Sequence, residues 1–254
     1  MKVVVIGGTG LIGSKAVATL NEQGHEAVAA SPDTGVDTVT GAGLDEALTG
    51  AHVVVDVSNS PSFDDGPAWD FFTTATGNLL TAAEQAGIQH YIALSVVGTE
   101  RLLDSGYFRA KYAQENLIAE GAIPFSIVRA TQFFEFVRAI ADSATDGDTV
   151  RISDALSQPM SAGDVAAAVA DTAVGRPLNT IREVAGPDRY PLDELVRIRL
   201  RADNDPRKVL TDRSARYFGV ELDDHTLVAG TAATVAPTRF TDWLSGNALV
   251  PSHR

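Results

Sequence analysis

The chain has no cysteine in 254 residues. That absence removes disulfides, thiolate nucleophiles and cysteine-ligated metals together. Histidine is sparse as well. His25, His52, His90, His225 and His253 are scattered with no ligand spacing, so no metal site is expected. Basic residues are the minority: 20 Lys and Arg against 33 Asp and Glu, a net charge of −13. A nucleic-acid partner would call for the opposite balance. The one local cluster, Arg197, Arg199 and Arg201, reads as a solvated helix face. Long apolar runs are also missing near the start, where VVVI passes straight into glycines. Four apolar residues are too few for a signal-peptide core or a membrane span. The expectation is a cytoplasmic protein that engages neither nucleic acid nor membrane.

What is present suits a soluble fold with a full core. Hydrophobic residues make up 44% and charged residues 21%, which is ordinary for a globular chain. The first half alternates short Val- and Ile-rich runs with helical patterns. Strands are expected at 2–6, 26–30, 36–40, 51–58, 90–96 and 124–130. Helices are expected at 11–24, 43–50, 68–87 and 107–121. Such alternation predicts βαβ units and a doubly wound, Rossmann-like parallel sheet, the α/β class. After about residue 145 the rhythm changes, with strands at 149–152 and 181–187 and helices at 161–175 and 192–203. We expect a dinucleotide-binding domain over 1–145. A smaller substrate lobe, 146–254, is expected to pack on it without being an independent domain.

The first strand runs directly into GGTGLIG. Gly7, Gly10 and Gly13 fit G-x-x-G-x-x-G, while Gly8, Gly10 and Gly13 also fit G-x-G-x-x-G, with Thr9 inside the loop. Such glycines give a tight turn, a close backbone approach and tight helix–strand packing. The helix N-terminus at Leu11 and Ile12 then offers free N–H groups to a pyrophosphate. At the end of the second strand an acid would select NAD. The sequence there reads Ala29, Ala30, Ser31, Pro32. With no acid present, NADP is favoured and NAD stays open, Ser31 being the candidate donor to a 2′-phosphate.

Tyr107 and Lys111 stand four apart, one turn on the same face of an expected helix. With five Tyr and four Lys, chance alone gives such a pair with probability about 0.08. Its context therefore decides its meaning. Ser95 lies twelve residues earlier, near the C-terminal end of an expected parallel strand, where ligands bind in open α/β sheets.

Together, VVVIGGTGLIG, LSVVG at 94–98, Tyr107-x-x-x-Lys111 and VRATQFFEF at 128–136 resemble the atypical short-chain dehydrogenases. The nearest branch is similar to the NmrA-like, NAD(P)H-binding group. The resemblance covers residues 1 to about 200. It implies Tyr107 as proton donor, Lys111 lowering the phenol's pKa together with the nicotinamide and holding its ribose, and Ser95 polarising a carbonyl. One departure is visible: Phe72 occupies the position of the extended branch's catalytic Asn, and Asn78 matches only a later, structural one. The group also contains non-catalytic NADP(H) sensors, so the resemblance implies either a reductase or a sensor.

Further candidates lie at other strand ends. Ser58 and Asn59 are expected beside the cofactor, and Asp56 as a buried carboxylate. Thr131 is expected to bond the nicotinamide amide. Gln132, Phe133 and Phe134 are expected to line a mostly apolar substrate pocket, suited to a neutral aldehyde, ketone or quinone. The partner expected is a small-molecule substrate, with a homodimer left open.

Overall fold

The computed structural model describes residues 1–247. The last seven residues of the lobe expected over 146–254, His253 among them, lie outside the described residues. In chain order the elements are β1 (Lys2–Ile6), α1 (Leu11–Glu22), β2 (Glu26–Ala30), α2 (Leu44–Leu48), β3 (Val53–Asp56), α3 (Asp65–Gln85), β4 (His90–Val96), α4 (Gly106–Glu120) and β5 (Phe125–Ala130). There follow α5 (Val137–Ser143), β6 (Thr145–Asp146), β7 (Thr149–Ile152), β8 (Leu156–Ser157), α6 (Ala162–Val174) and β9 (Ile181–Ala185). The chain continues through β10 (Tyr190–Pro191), α7 (Leu192–Ala202), β11 (Lys208–Thr211), β12 (Thr234–Val235) and α8 (Phe240–Asn247).

The central sheet is parallel, seven-stranded, and ordered β12-β9-β5-β4-β3-β1-β2. This is the doubly wound α/β arrangement that the alternating pattern predicts. β1 is the reason it can form. Val3, Val4, Val5 and Ile6 are all buried, so side chains on both faces of the strand are covered, as a parallel strand requires. On α1, Ile12, Ala16 and Leu20 are buried at a four-residue period and supply one apolar stripe.

The chain divides into two compact units. The first comprises Met1–Arg129 and Val165–Arg182. Its core joins Val4, Ile6, Val54, Tyr91 and Ile127 of the strands to Leu44, Leu48, Leu79 and Ile118 of the helices. The segment 36–40, expected as a strand, is a turn instead. Asp37 Oδ1 accepts the N–H groups of Val39 and Thr40, and Asn78 Nδ2 donates to the carbonyls of Thr38 and Val39. Side chains thus take the backbone groups that a ladder would have used.

The second unit comprises Ala130–Asp164 and the described residues from Glu183 onward. It holds a three-stranded sheet, β11-β7-β6, and a two-stranded one, β10-β8. Phe134, Phe240 and Trp243 pack together, with ring centroids 5.1 to 6.0 Å apart. The arginines of α7 each meet an acid: Arg197 with Asp193, Arg199 with Asp203 and Arg201 with Glu194. That pairing explains the cluster noted in the sequence. Among the described residues no helix is long and apolar enough to cross a membrane.

Candidate functional site

The glycine loop leaves β1 and opens α1. Gly7 has φ +75°, where only glycine sits without strain, and a Cβ there would come within 3.0 Å of the Ser58 backbone. A Cβ on Gly13 would lie 2.1 Å from the Gly7 carbonyl oxygen, so this glycine lets α1 close on the loop. Gly10 differs: a Cβ there would meet only the Gly7 oxygen, at 3.3 Å. The protein's own packing therefore constrains this position far less than it constrains Gly13. Gly10 is the N-cap of α1, with no side-chain cap and no acid in the first turn. Thr9, Gly10 and Leu11 are exposed, while Ile12 points into the core. The helix end is free to meet an anion.

Ser31 follows β2 and is buried, and its hydroxyl has no partner. The neighbouring Thr34 is occupied locally: its Oγ1 accepts the Ser31 N–H at 2.9 Å. Asp56 ends β3 as a buried carboxylate. Its Oδ1 accepts the Ser58 N–H at 3.0 Å and the Ser58 hydroxyl at 2.6 Å. Its Oδ2 accepts the Tyr91 hydroxyl at 3.1 Å and Gln114 Nε2 at 3.0 Å. Ser58 is thus committed to Asp56.

Ser95 sits near the end of β4, buried, with its hydroxyl also unpartnered. Tyr107 and Lys111 are both buried on α4. The Tyr107 hydroxyl donates to Asn59 Oδ1 at 2.9 Å, while its ring packs on Phe63 at 4.8 Å and edge-on to Phe72 at 5.8 Å. Lys111 Nζ donates to the Leu94 carbonyl at 2.9 Å and to Gln114 Oε1 at 2.5 Å, and lies 4.6 Å from the centre of the Phe72 ring. Phe72 therefore stands beside both residues as an aromatic wall.

The electrostatics run differently from the expectation of a phenol drawn down by its lysine. Burial pushes the Tyr107 phenol up, and the Asn59 hydrogen bond opposes it only in part. Burial also pulls the Lys111 amine down, to about 8, against the opposing charges of Asp56 and Glu115. Desolvation disfavours whichever form is charged, so the two groups move apart from neutrality and toward it respectively. Sequence reading missed Gln114 and Tyr91. Gln114 had a signal, since it lies three residues after Lys111 and seven after Tyr107, on the same helix face.

In the second unit Thr131 is buried with its hydroxyl unpartnered, and neither polar atom of the buried Gln132 amide has a partner. Phe133 is half-buried and stacks on Phe136 at 5.5 Å. Phe134 is wholly buried against Phe240 and Trp243 and is core. A separate cavity of about 290 Å³ in this unit is lined by Ile152, Leu192, Tyr217 and Phe218, and by none of the residues named from sequence.

The uncapped helix end, the open position at Gly10 and the unpartnered hydroxyls of Ser31 and Ser95 suit an anionic dinucleotide. The sequence profile of the family described as NAD(P)H-binding matches residues 7–174. The chain belongs to this family. The chain therefore carries an NAD(P)H-binding domain of Rossmann-like fold. It is 25% identical over 231 residues to the chloroplastic divinyl chlorophyllide a 8-vinyl-reductase of Cucumis sativus, covering 76% of this chain and 55% of that protein. The chain spans about half the length of the curated relatives it matches. In fold it is similar to a short-chain dehydrogenase/reductase superfamily protein from Agrobacterium tumefaciens with bound NAD. The TM-score there is 0.75, with 15% identity, covering 98% of this chain and 96% of that one. It is similar too to the Escherichia coli NADPH-dependent quinone oxidoreductase, with TM-score 0.68 and 16% identity, covering 96% and 98%.

Proposed function

We propose that the chain is an NAD(P)H-dependent reductase of a small, mostly apolar carbonyl or quinone, preferring NADPH. Gly7, Thr9, Gly10, Leu11, Ile12 and Gly13 would hold the pyrophosphate, Ser31 the 2′-phosphate, and Asn59 and Lys111 the ribose side. Bound NAD(P)H supplies a hydride. The chain's own task is to orient the acceptor oxygen and to give it a proton. Ser95, with its hydroxyl free, would donate a hydrogen bond to that oxygen.

Tyr107 would give the proton. A phenol pushed up by burial stays protonated at neutral pH, as a donor must. An alkoxide is a stronger base than a phenolate, so such a tyrosine can still protonate it. The observation that carries this reading is the trio itself: an unpartnered Ser95 hydroxyl near the end of β4, followed by Tyr107 and Lys111 one turn apart on α4. The names of the similar proteins, a vinyl-reductase and a quinone oxidoreductase, support a reduction.

A second reading, a non-catalytic NADP(H) sensor, is favoured by one observation. The Tyr107 hydroxyl is engaged by Asn59 and its ring is covered by Phe63. Steady NADPH consumption with a panel of aldehydes, ketones and quinones separates the two. Turnover with any member supports the reductase; tight NADPH binding with no oxidation across the panel supports the sensor.

A further inference from the structure

Lys111 is held by Gln114, three residues further along α4. Its ammonium donates to Gln114 Oε1 at 2.5 Å, and Gln114 Nε2 donates onward to Asp56 Oδ2 at 3.0 Å. The orientation of this amide is fixed at both ends. Lysine can only donate, so it must face the amide oxygen. An ionised carboxylate can only accept, so it must face the amide nitrogen. Asp56 is itself anchored by Ser58 and by the Tyr91 hydroxyl. All of these groups are buried or half-buried, where charge–charge interactions are weakly screened.

We propose that Gln114 is a positioning residue whose amide ties the Lys111 ammonium to the Asp56 carboxylate, so that Asp56 sets both the aim and the charge state of the lysine. The link to cofactor binding rests on the reading of Lys111 given above. The tie itself does not.

The arrangement explains several features at once. Two of the three Lys111 protons are committed, to the Leu94 carbonyl and to Gln114, which leaves one for a ligand. The ammonium also lies over the Phe72 ring, 4.6 Å from its centre. The charged and titratable groups around Lys111 are Asp56 from β3 and Glu115 from α4, with Tyr91 from β4 bonded to Asp56. Glu115 is paired by Arg129 of β5 at 2.6 Å. Tyr107 lies one turn before Lys111 on the same helix. Both acids act on Lys111, Asp56 more strongly than the arginine-paired Glu115. The amide carries the influence of Asp56 through a hydrogen-bonded contact.

The test uses the full chain. It contains four lysines, so a carbon-13 label at lysine Cε gives four resonances, and Lys111→Arg assigns one of them. In the unaltered chain that resonance should titrate near pH 8. Gln114→Met keeps the volume and removes the bridge. It should lower the Lys111 midpoint by about one pH unit, because the buried ammonium loses an acceptor. Asp56→Asn should lower it as well. Gln114→Glu adds a negative charge beside the ammonium and should raise it. The proposal is overturned if Gln114→Met leaves the midpoint unchanged, or if Gln114→Glu shifts it in the same direction as Gln114→Met, which would mark lost packing and not a lost bridge. NADPH affinity is then measured against pH in the same variants. If the affinity profile moves with the resonance, both the tie and the cofactor role of Lys111 hold. If the resonance moves and the affinity profile does not, the tie stands and the cofactor role falls.

Discussion

Tyr107 donates its hydroxyl to Asn59 Oδ1 at 2.9 Å, while Lys111, one turn further along α4, gives two of its protons to Leu94 and Gln114. The pair shares a helix face but its polar ends are held by different partners. The consequence is chemical. Tyr107 keeps its proton, and Lys111 is the member poised near neutrality. Tyr107→Phe should lower turnover of a ketone or aldehyde by about 10²-fold or more, the usual scale for a general acid, with NADPH affinity little changed. A quinone draws its proton from water more readily because its ring delocalises the charge. Wild-type rates on every accepted substrate would make the tyrosine scaffold.

The pH dependence follows from Lys111. Its amine is pulled down to about 8 by burial, so it is charged below that pH and neutral above it. NADPH affinity should therefore weaken as pH rises through about 8. An ordinary lysine would hold its charge until above pH 10. Lys111→Arg should remove the fall from the measured range. Fluorescence titration of NADPH between pH 6 and 10 checks this, and an affinity flat to pH 10 in the unaltered chain would contradict it.

The glycine loop separates two kinds of glycine. Gly10→Val should abolish NADPH binding and lower the melting temperature less than a change at Gly13 does, since a Cβ meets only the Gly7 oxygen, at 3.3 Å. Gly13→Ala should lower it more, because its Cβ would lie 2.1 Å from that same oxygen. Thermal melts and NADPH fluorescence on both variants give the comparison. Wild-type affinity in Gly10→Val would place the cofactor elsewhere.

Ser31→Asp should shift preference from NADPH toward NADH, through repulsion of the 2′-phosphate at the buried, unpartnered Ser31 hydroxyl. The ratio of the two dissociation constants measures it. A tighter constant for NADH than for NADPH in the unaltered chain would reverse the assignment.

His90 makes a prediction about acid stability. Its Nε2 lies 2.8 Å from Ser126 Oγ, which accepts the Leu178 N–H at 3.0 Å, and its Nδ1 is buried without a partner. Burial pulls this imidazole down to about 4. Between pH 6.5 and 4 the unfolded chain takes up a proton that the folded chain refuses. Stability should therefore decline as pH falls through that window. Replacing His90 by Gln should flatten the decline. Urea midpoints at pH 7 and pH 4.5 decide it, and equal slopes in the two proteins would exclude His90 as the cause.

The sequence by itself determined the sheet, the glycine loop and the helix that carries Tyr107 and Lys111. These are local properties. An unbroken Val–Ile run, glycines at fixed intervals and a four-residue period are each written within a dozen residues, and backbone sterics and burial give them one outcome. The same rules failed at 36–40. VDTVT has the residue types of a strand, but Asp37 and the distant Asn78 satisfy its backbone. Phe134 belonged to the core because α8, over a hundred residues later, brings Phe240 and Trp243 against it.

Only the tertiary structure decided which polar group meets which. It paired Tyr107 with Asn59, 48 positions away, and Lys111 with Asp56 through Gln114, 58 positions from that acid. The direction of each ionisation followed from burial of these groups, and burial is a property of the assembled unit. A tyrosine and a lysine four apart in sequence fix a helix face. The charge each carries depends on how much water the rest of the chain removes from around it.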